Sequence, residues 1–404
     1  MQGKRIVLGV SGGIAAYKVA DLASKLAQAG AIVDVIMTAG AQKFITPLTF
    51  QAITKRPVRT DIYADWLGED TGHVGLARNA DLIVIAPATA NTIARLALGL
   101  SDDLLCAVYL STRAPVLIVP AMESGMFLHP ATQGHLETLR SRGAIVMQPG
   151  EGHLASGATG IGRLPEVEEI IPAIRHILGA NGPLAGKKVV VTAGGTQEPL
   201  DPVRFIGNGS SGKMGYAIAE EAYYAGANVT LITGAASVPV PPGVTLVRVG
   251  TAREMEKAVG EAIEGADALV MAAAVADYAP LEVSQQKIKK TGDTLNIALG
   301  RNPDILMNLA SRELPGLVRI GFAAETQDLI DNARRKLEKK KLDMIIANDA
   351  VASIGTNSSI LTLIHRDGKV EELPPMDKRD SARLIIERLA GLIRLKEAEE
   401  KASK

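Results

Sequence analysis

The run Lys4-Arg-Ile-Val-Leu-Gly-Val-Ser-Gly-Gly13 decides the reading of the chain, because it returns later in altered form as Lys187-Lys-Val-Val-Val-Thr-Ala-Gly-Gly195. Each is a short apolar stretch that closes on paired glycines. Each then leads through a helical pattern to an Ala-Gly and a second apolar stretch: Ala29-Gly-Ala-Ile-Val-Asp-Val-Ile-Met-Thr-Ala-Gly40 in the first half and Ala225-Gly-Ala-Asn-Val-Thr-Leu-Ile-Thr-Gly234 in the second. Strand, glycine turn, helix and strand make a βαβ unit, whose right-handed crossover sets the two strands parallel. Further strands are predicted at Asp81–Ala86, Pro115–Val119 and Ala144–Met147, and then at Ala268–Met271, Leu317–Gly321 and Met344–Ala347. The fold class is therefore α/β, with two doubly wound Rossmann-like domains and mostly parallel sheets. A glycine-rich stretch without apolar periodicity, Leu178 to Gly186, separates the repeats. It predicts domains at 1–180 and 187–404 joined by a linker at 181–186. His365-Arg-Asp-Gly368 predicts a hairpin turn, followed by a charged amphipathic helix to about Ile393 and a frayed, solvated tail.

Composition agrees. The 404 residues carry 44 basic and 44 acidic side chains, so nothing electrostatic draws the chain to nucleic acid or to an anionic membrane. Hydrophobic residues are 47% and charged residues 22%, which excludes wholesale disorder. Aromatics are only 3%, and cores rich in Ala, Val, Ile and Leu suit parallel sheets covered by helices. One cysteine, Cys106, excludes an intramolecular disulfide and a multi-cysteine zinc site, and fits a reducing cytoplasm. Cys106 lies in the apolar run DDLLCAVYL, which reads as buried core. The amino terminus enters a strand pattern directly, which predicts neither a secretion signal nor a membrane span.

Gly9-Val-Ser-Gly-Gly-Ile14 follows a strand and opens a helix, where backbone N–H groups and the helix dipole favour a phosphate. A tight turn without ligand would read the same way. The dinucleotide fingerprint GxGxxG is not met, and Met37-Thr38 stands where an NAD ribose would want an acid. A phosphorylated cofactor other than NAD is favoured over a nicotinamide dehydrogenase. Ala86-Pro-Ala-Thr-Ala-Asn-Thr92 ends a parallel strand with small polar residues suited to a ligand, or to capping the next helix. His73 is a candidate acid/base by its type and a surface or structural histidine by its spacing. Gly207-Asn-Gly-Ser-Ser-Gly-Lys213 has P-loop spacing, but position 214 is Met and the run lies well beyond its strand, so a P-loop NTPase is rejected.

In order along the first half come GVSGGIAAYK, FITPLTFQAIT, HVGLARNADLIVIAPATANTIARLALGLSDDLL, HPATQ and GIGRLPE. Together they resemble the flavin-dependent phosphopantothenoylcysteine decarboxylases. In the second half TAGGTQEPLDPVRFIGNGSSGKMG, MAAAVADYAP, KIKK, NPDIL, GFAAET, KLDMIIANDA and ILTLIHRDG resemble the phosphopantothenate–cysteine ligases. The order matches the fused, bifunctional enzymes of coenzyme A biosynthesis and covers about residues 4–395.

The resemblance implies a flavodoxin-like flavoprotein domain that binds FMN, followed by a ligase domain. In that family the flavin oxidises the cysteinyl moiety to a thioaldehyde, carbon dioxide leaves, and reduction restores the thiol. Ser11, Gly12, Gly13, Ile14 and Thr38 match the positions around flavin and its phosphate. Thr89, Asn91 and Thr92 match a second flavin loop, and His73 matches the active-site histidine. Two positions depart. Glu123 replaces the asparagine that grips the substrate carboxylate, and Ser156 replaces the cysteine that donates the last proton. An ionised Glu123 would repel the substrate by on the order of a kcal/mol. A serine hydroxyl is a far weaker acid than a thiol. Three outcomes are carried: a complete decarboxylase with another donor such as His73 or His153, a flavin-binding or assembly module, and an oxidative decarboxylase that stops at the ene-thiol.

For the second half the resemblance implies activation of 4'-phosphopantothenate by CTP with Mg²⁺, through an acyl-nucleotide that cysteine attacks. Asn208 matches the residue tied to conversion of that intermediate. Met271, Ala272, Ala273 and Asp277 match the nucleotide-contacting strand end, and Lys287 matches the lysine of the activation step. Pro303, Asp304, Ile305 and Leu306 match a base-recognition turn, with Phe322, Lys336 and Lys340 completing the set. Lys336 and Lys340 on their own read as a solvated helix face. Gly209 stands where the family carries arginine, and no acidic cluster marks magnesium ligands. The resemblance also implies a cytoplasmic homo-oligomer, with trimers of the flavin half and dimers of the ligase half up to a dodecamer, and flavin sites shared between subunits.

Overall fold

The computed structural model describes residues 1–63, 72–289, 294–325, 329–349 and 358–402. The chain divides into two compact units, Met1–Leu178 and Gly179–Lys404.

In the first unit β1 (Arg5–Val10) runs through a 3₁₀ turn into α1 (Val19–Gln28), which returns to β2 (Ile32–Met37). Helix α1 buries Val19, Leu22, Ala23 and Leu26, the spacing of one helical face. There follow α2 (Pro47–Thr54), α3 (Gly72–Asn79), β3 (Leu82–Ala88), α4 (Ala90–Leu98), α5 (Leu104–Ser111), β4 (Val116–Pro120), α6 (Ser124–Leu128), α7 (Pro130–Ser141) and β5 (Ile145–Val146). A hairpin of β6 (Gly150–His153) and β7 (Thr159–Arg163) leads to α8 (Val167–Gly179). The five main strands are all parallel in the order β2-β1-β3-β4-β5. Buried side chains fill both faces of this sheet, one cluster centred on Leu8 and Val84 and the other on Ile83 and Ile118. Cys106 belongs to the second cluster, and burial first of all pushes its thiol up to about 12.

In the second unit come β8 (Lys188–Ala193), a small hairpin of β9 (Gln197–Pro199) and β10 (Phe205–Gly207), α9 (Lys213–Tyr224), β11 (Asn228–Thr233), β12 (Thr245–Arg248), α10 (Ala252–Ala262) and β13 (Ala268–Met271). Helix α10 starts on a capping box in which Thr251 and Glu254 exchange hydrogen bonds with each other's backbone. The antiparallel pair β14 (Tyr278–Pro280) and β15 (Leu299–Arg301) precedes α11 (Ile305–Ala310), β16 (Val318–Glu325), α12 (Leu329–Lys339) and β17 (Met344–Asp349). Then come β18 (Ser358–Ser359), β19 (Leu361–His365), β20 (Val370–Glu372), β21 (Met376–Asp377) and α13 (Lys378–Ala402). The sheet order is β12-β11-β8-β13-β16-β17-β19-β20, parallel through β17 and antiparallel beyond it. Leu184, in the glycine-rich stretch between the repeats, is fully buried in this unit's core.

The tail departs from expectation. Helix α13 runs past Ile393 to Ala402 instead of fraying. The reason is anchoring by charge: Lys396 donates to the Leu317 carbonyl at 2.7 Å and to Asp343 at 2.8 Å, and Glu397 pairs with Lys187. No described helix is long and apolar enough to cross a membrane.

Candidate functional sites

In the first sheet the strand order reverses between β1 and β3, and in open α/β sheets a ligand crevice opens beyond the carboxyl ends of the strands at such a point. A cleft of about 1070 Å³ lies there. Its walls come from the loops after four strands: Gly12 and Gly13 after β1, Thr38 and Gly40 after β2, Thr89 to Thr92 after β3, and Ala121 to Glu123 after β4. Glycine at position 12 is required by the close approach of two loops, since a Cβ would come within 2.7 Å of the Gly40 backbone. Ser11 is buried beneath the cleft, where its hydroxyl donates to the Pro87 carbonyl at 2.6 Å and accepts from the Thr89 N–H at 3.1 Å. Thr89 also caps α4 by accepting from the Thr92 N–H at 3.3 Å. The ligand loop and the helix cap are thus one feature. Ile14 is 57% exposed and Asn91 is exposed, and both line the cleft.

The β6–β7 hairpin, whose strands were not predicted from the sequence, contributes a further wall. Gly160 and Gly162 let it lie against the start of α6, since a Cβ at Gly162 would fall 2.1 Å from the Met122 carbonyl oxygen. Ser124 donates to the Ile161 carbonyl and fastens the two together. Ser156, between these strands, lines the cleft and is exposed, and its hydroxyl accepts from the Ala158 N–H at 3.4 Å. Glu123 also lines the cleft. Its carboxylate accepts from the Gly125 N–H at 2.5 Å, so it caps its own helix α6. The alternation of glycines at 150, 152, 160 and 162 was the available signal for this hairpin. His73, half-buried on the first turn of α3, is not among the residues lining the cleft of its own chain. His153 is among them.

In the second sheet the order reverses between β8 and β13. Hydrogen bonds tie the loops beyond these strands together. Thr192 accepts from the Ala273 N–H at 3.1 Å, and Thr196 accepts from the Ala276 N–H at 2.9 Å. Asn208 donates to the Val275 carbonyl at 3.2 Å, and Asn302 donates to the Ala276 carbonyl at 2.8 Å. Met271, Ala272, Ala273, Asp277 and Asn208 are therefore joined to the turn that holds Pro303 and Asp304. Asp304 caps α11 through the Met307 N–H and pairs with Lys340 at 2.9 Å. The Asp304 and Lys340 readings converge on one ion pair, while Ile305 and Leu306 point into the core. Phe322 packs in β16 against the other face of the sheet, and Lys336 is exposed on α12 one turn before Lys340. Lys287 is exposed in the segment between β14 and β15, and Lys290, the last of its run, lies outside the described residues.

A family model described as flavoprotein matches residues 1–179, and one described as DNA/pantothenate metabolism flavoprotein C-terminal domain matches residues 184–392. The coenzyme A biosynthesis bifunctional protein CoaBC of Bacillus subtilis is 44% identical over 398 residues, 97% of this chain and 98% of that protein. This chain belongs to the CoaBC family. The CoaBC protein of Mycolicibacterium smegmatis is 43% identical over 412 residues, covering 97% of this chain and 98% of that one. A solved C-terminal domain of a CoaBC protein is 39% identical, covers 53% of this chain and 98% of its own, and superposes with a TM-score of 0.46. CoaBC membership makes this chain an enzyme of coenzyme A biosynthesis with two α/β domains, the first a flavoprotein domain.

Proposed function

We propose that the second half joins cysteine to 4'-phosphopantothenate at the expense of CTP, and that the first half decarboxylates the resulting phosphopantothenoylcysteine to 4'-phosphopantetheine. The observation that carries this reading is the pair of sites at two strand-order reversals, each inside the matching family domain. In this reading residues 1–180 are the decarboxylase domain, 187–404 the ligase domain and 181–186 their connection.

FMN fits the first cleft. The Gly12–Gly40 contact leaves a wall with no side chain, and the 3₁₀ turn Ile14–Lys18 starts with no side-chain cap on its first N–H groups. Ser11, Gly12, Gly13, Ile14, Thr38, Thr89, Asn91 and Thr92 would hold it. Bound flavin supplies reversible two-electron oxidation of the cysteinyl carbon–sulfur centre, which makes loss of carbon dioxide easy. His73 moves a proton. Because His73 stands outside its own chain's cleft, we assign it to the cleft of a neighbouring subunit, in keeping with a trimeric flavin half. Glu123 stands where the family's asparagine grips the substrate carboxylate, with its own carboxylate turned onto the Gly125 N–H, and Ser156 stands at the place of the final donor.

In the ligase half Lys287 neutralises charge that develops as the carboxylate attacks the nucleotide, and Asn208 holds the acyl-nucleotide for attack by cysteine. The Met271–Asp277 segment and the Pro303–Leu306 turn hold the nucleotide, with Lys340, Lys336 and Phe322 beside them. Among the described residues no group of three or more His, Cys, Asp or Glu could hold a metal ion. In this reading magnesium enters with the triphosphate, and no step is routed through it. A dimeric ligase half and a cytoplasmic setting complete the proposal, the latter supported by the lone buried cysteine.

The test is to supply FMN and phosphopantothenoylcysteine to the pure protein and weigh the product. Loss of carbon dioxide alone supports the full cycle. Loss of carbon dioxide plus two hydrogens supports the second reading, favoured by Ser156, in which the reaction stops at the ene-thiol. Unchanged substrate with an intact ligase makes the first half a flavin-binding or assembly module.

A further inference from the structure

Asp201 lies in the turn between β9 and β10, and its side chain is fully buried. Its carboxylate collects five donors. One oxygen accepts the N–H groups of Val203 and Arg204, both at 2.9 Å. The other accepts Nε and Nη2 of Arg204, at 2.9 and 2.6 Å, and the N–H of Ile288 at 3.1 Å. The first pair of bonds is an ordinary turn cap. The second set reaches 87 residues along the chain, which a turn does not need. Arg204 then donates to the carbonyl of the same Ile288 at 2.9 Å, so both backbone groups of Ile288 are gripped by one ion pair.

Ile288 is the neighbour of Lys287. On the other side, the N–H of Ser284 donates to the Leu200 carbonyl at 3.0 Å, and Ser284 and Gln286 bond to each other. The lysine thus sits on a short irregular segment pinned before and after it to the Leu200–Arg204 turn. The Arg204 guanidinium holds the Asp201 carboxyl well below the usual carboxylate range, so the grip stays charged wherever the protein is folded and active.

We infer that Asp201, paired with Arg204, is a positioning residue that sets Lys287 at the nucleotide site. The inference rests on the role given above to Lys287. A misplacement of about 1 Å in a charge that acts on a developing negative charge costs on the order of a hundredfold in rate. In Asp201→Asn only one oxygen is left to accept from the two sets of donors, and the charge that holds Arg204 is gone, so the grip on Ile288 loosens. Arg204→Lys keeps a charge but loses the fork and the bond to Ile288.

The experiment measures CTP-dependent pyrophosphate release by the full chain with phosphopantothenate and cysteine. For Asp201→Asn, kcat is expected to fall about tenfold to a hundredfold, with the phosphopantothenate KM changed less than about twofold. In a Lys287→Arg background, where the charge is already displaced, the same change is expected to cost under about threefold. Trypsin is expected to cut after Lys287 and Lys289 faster in the variant. An unchanged kcat, or an equal fall in both backgrounds, overturns the inference while leaving Lys287 in place. Near-normal release by Lys287→Gln alone overturns the role of Lys287 and the inference with it. If Asp201→Asn shows no cooperative thermal transition, Arg204→Lys carries the same comparison.

Discussion

The two halves start from one plan and build their sites differently. In the first, loops from four adjacent strands close on a single cleft, and the close approach of Gly12 to Gly40 forms one wall. In the second, the key positions sit on turns and an exposed segment that are joined by long-range hydrogen bonds: Asn208 to Val275, Asn302 to Ala276, Ile288 to Asp201. A cleft suits a flat cofactor that stays bound. A set of tethered loops suits substrates that arrive and leave at every turnover. The comparison predicts that Gly12 acts in the first site through shape and Lys287 in the second through placement of charge.

That contrast can be broken by substitution. The largest effect is expected from Lys287→Gln, which should lower pyrophosphate release about a thousandfold while leaving decarboxylation of supplied phosphopantothenoylcysteine intact. Loss of both activities would mean that the halves are not independent. Next, His73→Asn should lower decarboxylation about a hundredfold with the ligase unchanged. Mixed oligomers of His73→Asn with Gly12→Ala should regain part of that activity if the site is shared between subunits, and none if each chain uses its own histidine. Gly12→Ala should cost the first half about 1–3 kcal/mol and weaken flavin uptake, read from bound-flavin absorbance, because the clash is with backbone that cannot swing aside.

The smallest effect concerns stability alone. Glu371, gripped first by Arg388 and then by Lys369, has its carboxyl held down to about 2 from the ordinary 4.5. A folded-state value below the unfolded one stabilises the protein above pH 4.5, and that contribution is lost as the pH falls from 4.5 toward 2. Glu371→Gln should therefore destabilise the second half by about 1–3 kcal/mol in urea at pH 7, with the gap narrowing below pH 4.5. A gap that is constant with pH would remove the ion pair as its cause.

The fold was legible because it is local. Apolar runs closing on paired glycines predict parallel strands, and the strands predicted at Asp81–Ala86 and Leu317–Gly321 are observed at Leu82–Ala88 and Val318–Glu325. The antiparallel pair β6–β7 escaped, because its exposed, glycine-spaced strands carry little apolar signal. The helical tail escaped because Lys396 and Glu397 find partners about 80 and 210 residues away.

The sequence by itself determined the two-fold α/β plan, the glycine turns, the buried place of Cys106 and the family, since each is written in contiguous residues. Only the tertiary structure decided that Glu123 caps its own helix and that Asp304 pairs with Lys340. It also decided that Asp201 and Arg204 hold Ile288 by both backbone groups. The Asp304–Lys340 and Asp201–Ile288 contacts join residues far apart in the chain, and their energies depend on distance and burial, which no order of residues states directly.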